Sequence, residues 1–167
     1  MATATSTAPD LAWTKKISSP QDLAEYRQTL VAGTDPDAPC IRVCCGTGCK
    51  AVGSLDVLEA MKSAVAAAGA DVRVMPEVKR TGCHGFCSRG PLLTLHPQGL
   101  FYQRVKPEDA AEIVQKTVVG GEVAPRFLYK PPGAKEAIAK VGDIPFFAKQ
   151  TKLVLKRVGR IDPFDIR

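Results

Sequence analysis

Hydrophobic positions recur at helical spacing in three stretches of the chain, and each stretch carries its own start and stop signals. The first covers residues 20–32 and begins with a serine cap and a proline. The second covers residues 54–68, with Ser54 as its predicted cap and a glycine at its end. The third begins at Pro107 and stops at the glycine pair 120–121. The pattern therefore predicts three helices.

Short apolar runs between these helices predict β-strands. The runs are residues 40–44, 72–75, 92–96 and 100–105. The GTG triplet at 46–48 predicts a loop after the first strand, because glycine disfavours regular structure. The turn Pro97-Gln98-Gly99 joins the last two runs into a hairpin.

The order of these elements predicts the fold class. A parallel strand–helix–strand unit followed by an antiparallel hairpin gives an α/β arrangement with a mixed sheet. The order helix, strand, helix, strand, strand, strand, helix resembles that of the thioredoxin-like fold. The prediction is a thioredoxin-like domain with an additional N-terminal helix and an extended C-terminal docking tail.

Changes in composition divide the chain into three segments. Residues 1–38 are a flexible lead with the N-terminal helix, residues 39–122 form the sheet-containing domain, and residues 123–167 are a proline-rich connector and tail. The tail has too few hydrophobic residues for a core of its own. The hydrophobic residues of the tail therefore either fold back on the main domain or dock on a partner. They are Phe146, Phe147, Leu153, Val154 and Leu155.

Composition and charge exclude several classes of function. Of the 167 residues, 45% are hydrophobic and 24% are charged, as in an ordinary globular protein. The net charge of +6 suits an acidic partner or an anionic cofactor. The basic residues are scattered and not interleaved with aromatics, which argues against nucleic-acid binding. No apolar run is long enough for a membrane span and no secretory signal is recognisable, so a cytoplasmic location is expected.

The six cysteines carry the strongest chemical signal. Without an export signal, they indicate metal or redox chemistry rather than a disulfide framework. Two glycine-rich motifs, CCGTGC at 44–49 and CHGFC at 83–87, lie beside predicted strands. They are compatible with a [2Fe–2S] cluster, a four-cysteine zinc site or dithiol–disulfide chemistry. The spacings are wide for a zinc ribbon and C-x-x-C is missing from the sequence, so the iron–sulfur interpretation is favoured.

The two cysteine motifs also resemble those of a known family. VCCGTGCKAVG followed by RTGCHGFCSRGPLL looks like the thioredoxin-like [2Fe–2S] ferredoxins, which pair C-x4-C with C-x3-C. That family includes free-standing ferredoxins, the small ferredoxin subunit of complex I-like NADH dehydrogenases, and N-terminal domains of hydrogenase flavoprotein subunits. The resemblance covers residues 40–119 and implies a thioredoxin-like fold and a [2Fe–2S] cluster.

Cys44 and Cys45 are adjacent, and either could pair with Cys49 as a cluster ligand, giving C-x4-C or C-x3-C spacing. Successive side chains of a strand point to opposite faces, so both are not expected to reach one iron. In the family pattern, the ligand directly follows the apolar residue that ends the strand, as Cys44 follows Val43. The resemblance therefore implies four cluster and metal ligands and leaves Cys45 as a spare thiol; the ligands are Cys44, Cys49, Cys83 and Cys87.

Other residues near the motifs have simpler interpretations. Cys40 lies about 13 Å along the strand from Cys44, so it is interpreted as a small buried hydrophobe. Histidine ligation is disfavoured for His84 and His96, because centres of that type need two histidines on one iron. The flanking polar residues are either solvated surface or tune the potential of an anionic cluster; they are Arg42, Lys79, Arg80, Arg89, Thr47 and Ser88.

A second resemblance concerns residues 142–166, GDIPFFAKQTKLVLKRVGRIDPFDI. This stretch is similar to the segment that precedes the FMN and NADH domain in the NADH-binding flavoprotein subunit of the same complexes. The glycine-rich FMN/NADH-binding loop of that subunit does not appear before Arg167. No NADH or FMN site is therefore expected in this chain alone.

These observations together predict one-electron transfer through a [2Fe–2S] cluster, with no catalytic residue in the chain itself. The expected setting is a multi-subunit NADH-linked oxidoreductase of the complex I or hydrogenase type. The expected partners are an FMN/NADH-binding flavoprotein and other iron–sulfur subunits. A free-standing ferredoxin shuttle is the alternative. The tail discriminates between the two, since a shuttle has no need of residues 123–167 whereas a docked subunit does. A zinc-stabilised interaction module is the remaining possibility.

Overall fold

The computed structural model describes residues 16–32, 38–76 and 85–154. The chain divides into two compact units, of which the second comprises Ala38–Ile166. The first unit contributes helix α1, Pro20–Ala32. This helix begins as predicted, because the Asp22 N–H donates to the Ser19 hydroxyl (3.1 Å) and so satisfies an amide of the first turn.

The second unit is built on a mixed β-sheet. In the described residues, its strands are β1 Cys40–Val43, β2 Arg73–Pro76, β3 Leu93–His96 and β4 Leu100–Tyr102. They lie in the order β2–β1–β3–β4. Strand β1 is parallel to β2 and antiparallel to β3, and β3 pairs with β4 in the predicted hairpin. The predicted α/β class with a mixed sheet is confirmed.

Helices pack around this sheet. They are α2 Thr47–Lys50, α3 Ser54–Ala68, α4 Ala110–Ile113 and α5 Pro145–Ala148. A 3₁₀ turn at Pro107–Asp109 precedes α4 and a π-helical stretch at Val114–Val119 continues it, so the predicted third helix is present over its full length. None of the helices in the described ranges has the length and hydropathy needed to cross a bilayer.

The GTG triplet was expected to form a loop, and this prediction is wrong. The amide of Lys50 donates to the Gly46 carbonyl (2.9 Å) and that of Ala51 donates to Thr47 (3.1 Å), which closes the single turn of α2. The predicted cap of α3 is also wrong. Gly53 takes the cap position with a φ of +89°, and Ser54 is the first helical residue and is fully buried.

The last strand is shorter than predicted. Strand β4 ends at Tyr102 rather than at residue 105. The reason is a hydrogen bond with a distant part of the chain: the Gln103 N–H donates to the Phe127 carbonyl (2.9 Å). Sequence spacing alone does not reveal such a partner.

Alternation along the strands divides the apolar side chains between two clusters. The main core lies between the sheet and the helices α3 and α4, and includes Ile41, Val43, Leu93, Leu95, Met61 and Ile113. The second cluster, here called the cysteine-side cluster, lies on the other face. Its buried members are Cys44, Cys49, Phe86, Leu92, Phe101, Tyr129 and Ile144.

Residues 124–148, here called the C-terminal segment, cover the edge strand and part of this second face. The Phe101 N–H donates to the Ala139 carbonyl (2.8 Å), and the Val141 N–H donates to Gly99 (3.0 Å). These bonds pair amides of an edge strand that would otherwise be open. Of the tail residues predicted to need burial, Phe147 packs against the cysteine-side cluster, Phe146 is 42% exposed, and Leu153 and Val154 are almost fully exposed. Leu155 lies outside the described residues.

Candidate metal centre

The neighbouring thiols of Cys44 and Cys45 belong to different sides of the sheet. Cys45 continues the alternation of Ile41 and Val43 and packs into the main core, where its Sγ lies 3.4 Å from the Val43 carbonyl oxygen. Cys44 is fully buried in the cysteine-side cluster, together with Cys49. Its amide donates to the Leu92 carbonyl (2.9 Å), which fixes the backbone where β1 ends. The structure therefore places Cys44, and not Cys45, beside Cys49.

Burial raises the pKa of the Cys45 thiol, and the adjacent Cys44 adds to the rise. This rise follows from the position of Cys45 in the main core, and that position supports its interpretation as a spare thiol.

The loops that carry Cys49 and Cys87 meet through two glycines. Cys49 lies in α2, and Cys87 begins a 3₁₀ turn that ends at Arg89. A Cβ added to Gly48 would lie 2.9 Å from the Cys87 sulfur, and one added to Gly90 would lie 2.9 Å from the Cys49 sulfur. Both distances are shorter than real Cβ contacts, so each loop needs a glycine opposite the thiol of the other.

The remaining predicted ligand, Cys83, lies outside the described residues, as do Lys79, Arg80 and His84. Within the described ranges, no three His, Cys, Asp or Glu side chains are grouped so that they could share one metal ion. A [2Fe–2S] cluster instead divides four thiolates between two irons. Cys44, Cys49 and Cys87 are brought together by the two glycine-containing loops. A set of thiol donors on two such loops suits iron–sulfur coordination.

An aromatic side chain within the second motif ties that loop to the rest of the unit. Phe86, between Gly85 and Cys87, is 9% exposed and contacts four other rings. Their centroids lie 5.0–6.0 Å from that of Phe86; the rings belong to Phe101, Tyr129, Phe146 and Phe147. Because three of the four belong to the C-terminal segment, that segment holds the residue next to Cys87 in place.

Positively charged side chains lie near the described cysteines. The Arg89 guanidinium is 5.3 Å from the centre of the Tyr129 ring, which orients it beside the second motif. Arg42 is half-buried on β1, and its Nε has no hydrogen-bond partner among the described residues. Thr47 and Ser88 are exposed. Cations near an anionic cluster stabilise its more negative, reduced state.

Of the three residues set aside as ligands on sequence grounds, Cys40 and His96 lie at the other end of the sheet, and His84 lies outside the described residues. Cys40 pairs with His96 across β1 and β3, whereas Val43, next to Cys44, pairs with Leu93. Cys40 is 4% exposed, in agreement with its interpretation as a buried hydrophobe. Neither Cys40 nor His96 lies at the end of the sheet that carries the cysteine motifs.

Sequence reasoning missed two features of this centre. The first is the close approach of Gly48 and Gly90 to the thiols of the opposite loops, which only a three-dimensional structure reveals. The second is the ring cluster around Phe86. A signal for it was present, since Phe86 lies inside the second motif and the tail holds an unexplained Phe146–Phe147 pair.

The region that holds both cysteine motifs is similar to known proteins. Residues 33–118 match the family model described as thioredoxin-like [2Fe–2S] ferredoxin. A relative named "Ferredoxin, 2Fe-2S" from Aquifex aeolicus is 46% identical over 56 residues, which are 32% of this chain and 50% of that protein. One of the same name from Clostridium pasteurianum is 33% identical over 78 residues, or 47% of this chain and 74% of that protein. The match thus spans only half of the Aquifex relative.

Solved structures of thioredoxin-like [2Fe–2S] ferredoxins from Aquifex aeolicus are also similar. One is 30% identical, covers 59% of this chain and 98% of its own, and has a TM-score of 0.47. The wild-type structure at 1.5 Å resolution is 28% identical, covers 57% and 99%, and has the same score. The family match confirms the thioredoxin-like fold class and the [2Fe–2S] cofactor predicted from the cysteine motifs.

Proposed function

Because the chain belongs to the thioredoxin-like [2Fe–2S] ferredoxin family, we propose that it transfers single electrons through a [2Fe–2S] cluster. The proposed ligands are Cys44, Cys49, Cys83 and Cys87. The observation that carries this assignment is the meeting of two cysteine loops through Gly48 and Gly90, with Cys44 beside Cys49 in one buried cluster.

The bound cluster supplies one-electron redox chemistry at a site with little access to water. The residues of the chain exclude water, stabilise negative charge and limit movement of the loops. Cys44 and Cys49 are fully buried, so water is kept from their sulfur atoms. The two glycines let backbone approach sulfur closely, and backbone amides near sulfur stabilise negative charge. Phe86 and the C-terminal segment pack beside Cys87, so they limit movement of its loop.

We further propose that the chain acts in a multi-subunit NADH-linked oxidoreductase, beside an FMN/NADH-binding flavoprotein and other iron–sulfur subunits. The support for this partner is the similarity of residues 142–166 to the lead-in of such a flavoprotein. A second support is the exposure of Leu153 (81%) and Val154 (95%), which are apolar residues of the same stretch.

The alternative is a ferredoxin that diffuses freely between partners. It is favoured by the packing of residues 124–148 on the chain's own domain, where Tyr129 and Ile144 are buried. Residues that are already packed on the chain's own domain are not available to bind a partner. The two functions differ in whether a lasting complex forms with a flavoprotein.

The test uses a purified NADH-oxidising flavoprotein of the complex I type. NADH alone should leave the visible absorption of the chain unchanged, whereas NADH with the flavoprotein should bleach it as the cluster is reduced. The matched control is Cys44→Ala, which should show no bleaching. Co-elution of the two proteins in gel filtration supports the subunit function, and bleaching without co-elution supports the shuttle. Bleaching by NADH alone would contradict both.

A further inference from the structure

Two half-buried glycines lie directly against described thiols. Gly48 and Gly90 are half-buried, and each lies against a ligand sulfur of the opposite loop. Neither position has room for a side chain. The backbone of these two half-buried residues therefore lies in close contact with the Cys49 and Cys87 sulfurs. Since electron transfer weakens with distance, a partner that docks on these glycines comes close to the thiols.

Exposed apolar side chains border this point. Val52 lies over Gly90, with its Cγ2 3.4 Å from the position that a Gly90 Cβ would take, yet it remains 52% exposed. Leu55, three residues further along, is 48% exposed. Large exposed hydrophobic residues grouped at one place are typical of interaction surfaces.

The charge around the same point is mainly positive. Lys50 is exposed at the end of α2, and Arg89 lies at the end of the Cys87 turn. In the described part of the chain neither forms an ion pair, whereas Lys62, Lys116 and Arg126 each pair with an acid. One acid, Asp56, borders the surface, with a carboxylate oxygen 3.8 Å from where a Gly53 Cβ would lie.

The side of the second cysteine motif that carries Phe86 is already covered by the C-terminal segment. Phe86, next to Cys87, is covered by Tyr129, Phe146 and Phe147 of the C-terminal segment. A partner would have to displace these rings to reach the second motif from that direction. The glycine surface needs no such rearrangement.

We propose that Gly48, Gly90 and their exposed neighbours Lys50, Val52 and Leu55, here called the glycine window, form the docking site for the electron-transfer partner. The proposal rests on the electron-transfer function proposed above. The partner that fits is a redox protein with an acidic rim around an apolar centre, because the window offers the exposed cation Lys50 beside the apolar side chains of Val52 and Leu55, with Arg89 nearby. Each docking event passes one electron, which the partner loses and the cluster gains, or the reverse.

The experiment measures electron transfer from reduced flavodoxin, an acidic flavoprotein, by stopped-flow absorption at low ionic strength. The variants are Lys50→Glu and Val52→Asp, both at exposed positions. The matched controls are Lys135→Glu and Val119→Asp, which are exposed residues outside the window. We expect the window variants to react at least about tenfold more slowly than wild type, and the controls to stay within about twofold. The wild-type rate should also fall as salt is added.

Reduction by dithionite provides the readout that separates this proposal from the proposed function. Dithionite should bleach wild type and all four variants alike, which shows that the cluster is intact in each. If wild type itself shows no reducible cluster, the electron-transfer function is wrong. If all proteins are bleached by dithionite but both window variants react with flavodoxin at the wild-type rate, the docking site is wrong. A wild-type rate that does not change with salt would also overturn it.

Discussion

At the scale of single residues, the adjacent Cys44 and Cys45 show how strand geometry places two neighbouring thiols on opposite sides of a sheet. One strand places Cys45 in the main core with Val43 and Cys44 in the cysteine-side cluster with Cys49. This placement follows from the alternation of side chains in an extended backbone. It requires no difference in chemistry between the two thiols.

The first prediction compares alanine variants of these two cysteines. Cys45→Ala should keep the full iron and sulfide content and a near-native EPR spectrum, because only a core thiol is lost. It should lower the free energy of unfolding by about 1 kcal/mol through the small cavity left behind. Cys44→Ala should lose the cluster or change its spectrum. The opposite pattern would show that the ligand loop begins at Cys45.

The second prediction concerns the glycines that face the thiols. Gly90→Ala would put a Cβ 2.9 Å from the Cys49 sulfur and 3.2 Å from the Cys87 carbonyl oxygen. One of these groups must then move, so cluster content should drop sharply when iron and sulfide are counted. Gly142→Ala is the control, because its Cβ would meet no atom of the described residues within 4 Å. Equal cluster content in both variants would refute the close approach.

At the scale of elements, the C-terminal segment is the part that most affects the cysteine-side face. It pairs with β4 through Ala139 and Gly99 and places Tyr129, Phe146 and Phe147 against Phe86. The segment therefore connects an edge strand with the second cysteine motif. Its removal would expose both.

The third prediction tests this connection. Phe147→Ala should lower the free energy of unfolding by about 2 kcal/mol, since a partly buried ring is lost. It should also speed cluster release to an iron chelator, because the loop beside Phe86 is less firmly held. Leu153→Ala is the control in the same stretch, where the side chain is 81% exposed. Release at the same rate in both variants would mean that the segment does not hold the motif.

The fourth prediction concerns the ion-pair network that anchors the start of this segment to α4. Hydrogen bonds from Lys116 and Arg126 hold the pKa of the Glu112 carboxyl below its ordinary value of 4.5. A lowered pKa in the folded state adds stability above pH 4.5 that is lost as the pH falls through the folded-state value. The melting temperature of wild type should therefore exceed that of Glu112→Gln at pH 7, and the difference should shrink in acid. A difference independent of pH would contradict this.

At the scale of the whole molecule, local signals predicted much of the fold, and distant contacts account for what was missed. The N-terminal cap of α1, the glycine that ends α3 and the hairpin turn Pro97-Gln98-Gly99 are all visible in short stretches of sequence. The early end of β4 was not visible, because it depends on Phe127, which lies 24 residues further along the chain than Gln103.

The same division applies to the metal centre. The spacing of the cysteines predicted a cluster site, and the alternation of side chains along β1 predicted that Cys44 and Cys45 lie on different sides of the sheet. The approach of Gly90 to Cys49 and the rings around Phe86 depend on loops that are far apart in sequence. Such contacts leave no periodic pattern in the sequence, so they can be recognised only in the folded structure.

EPR of the anaerobically purified and reduced protein, with iron and acid-labile sulfide counted in the same sample, tests whether the chain holds one [2Fe–2S] cluster that accepts a single electron. We expect about two iron and two sulfide per chain and a signal from one unpaired electron that appears on reduction. A colourless protein that contains zinc, or one with iron but no sulfide, would contradict this expectation.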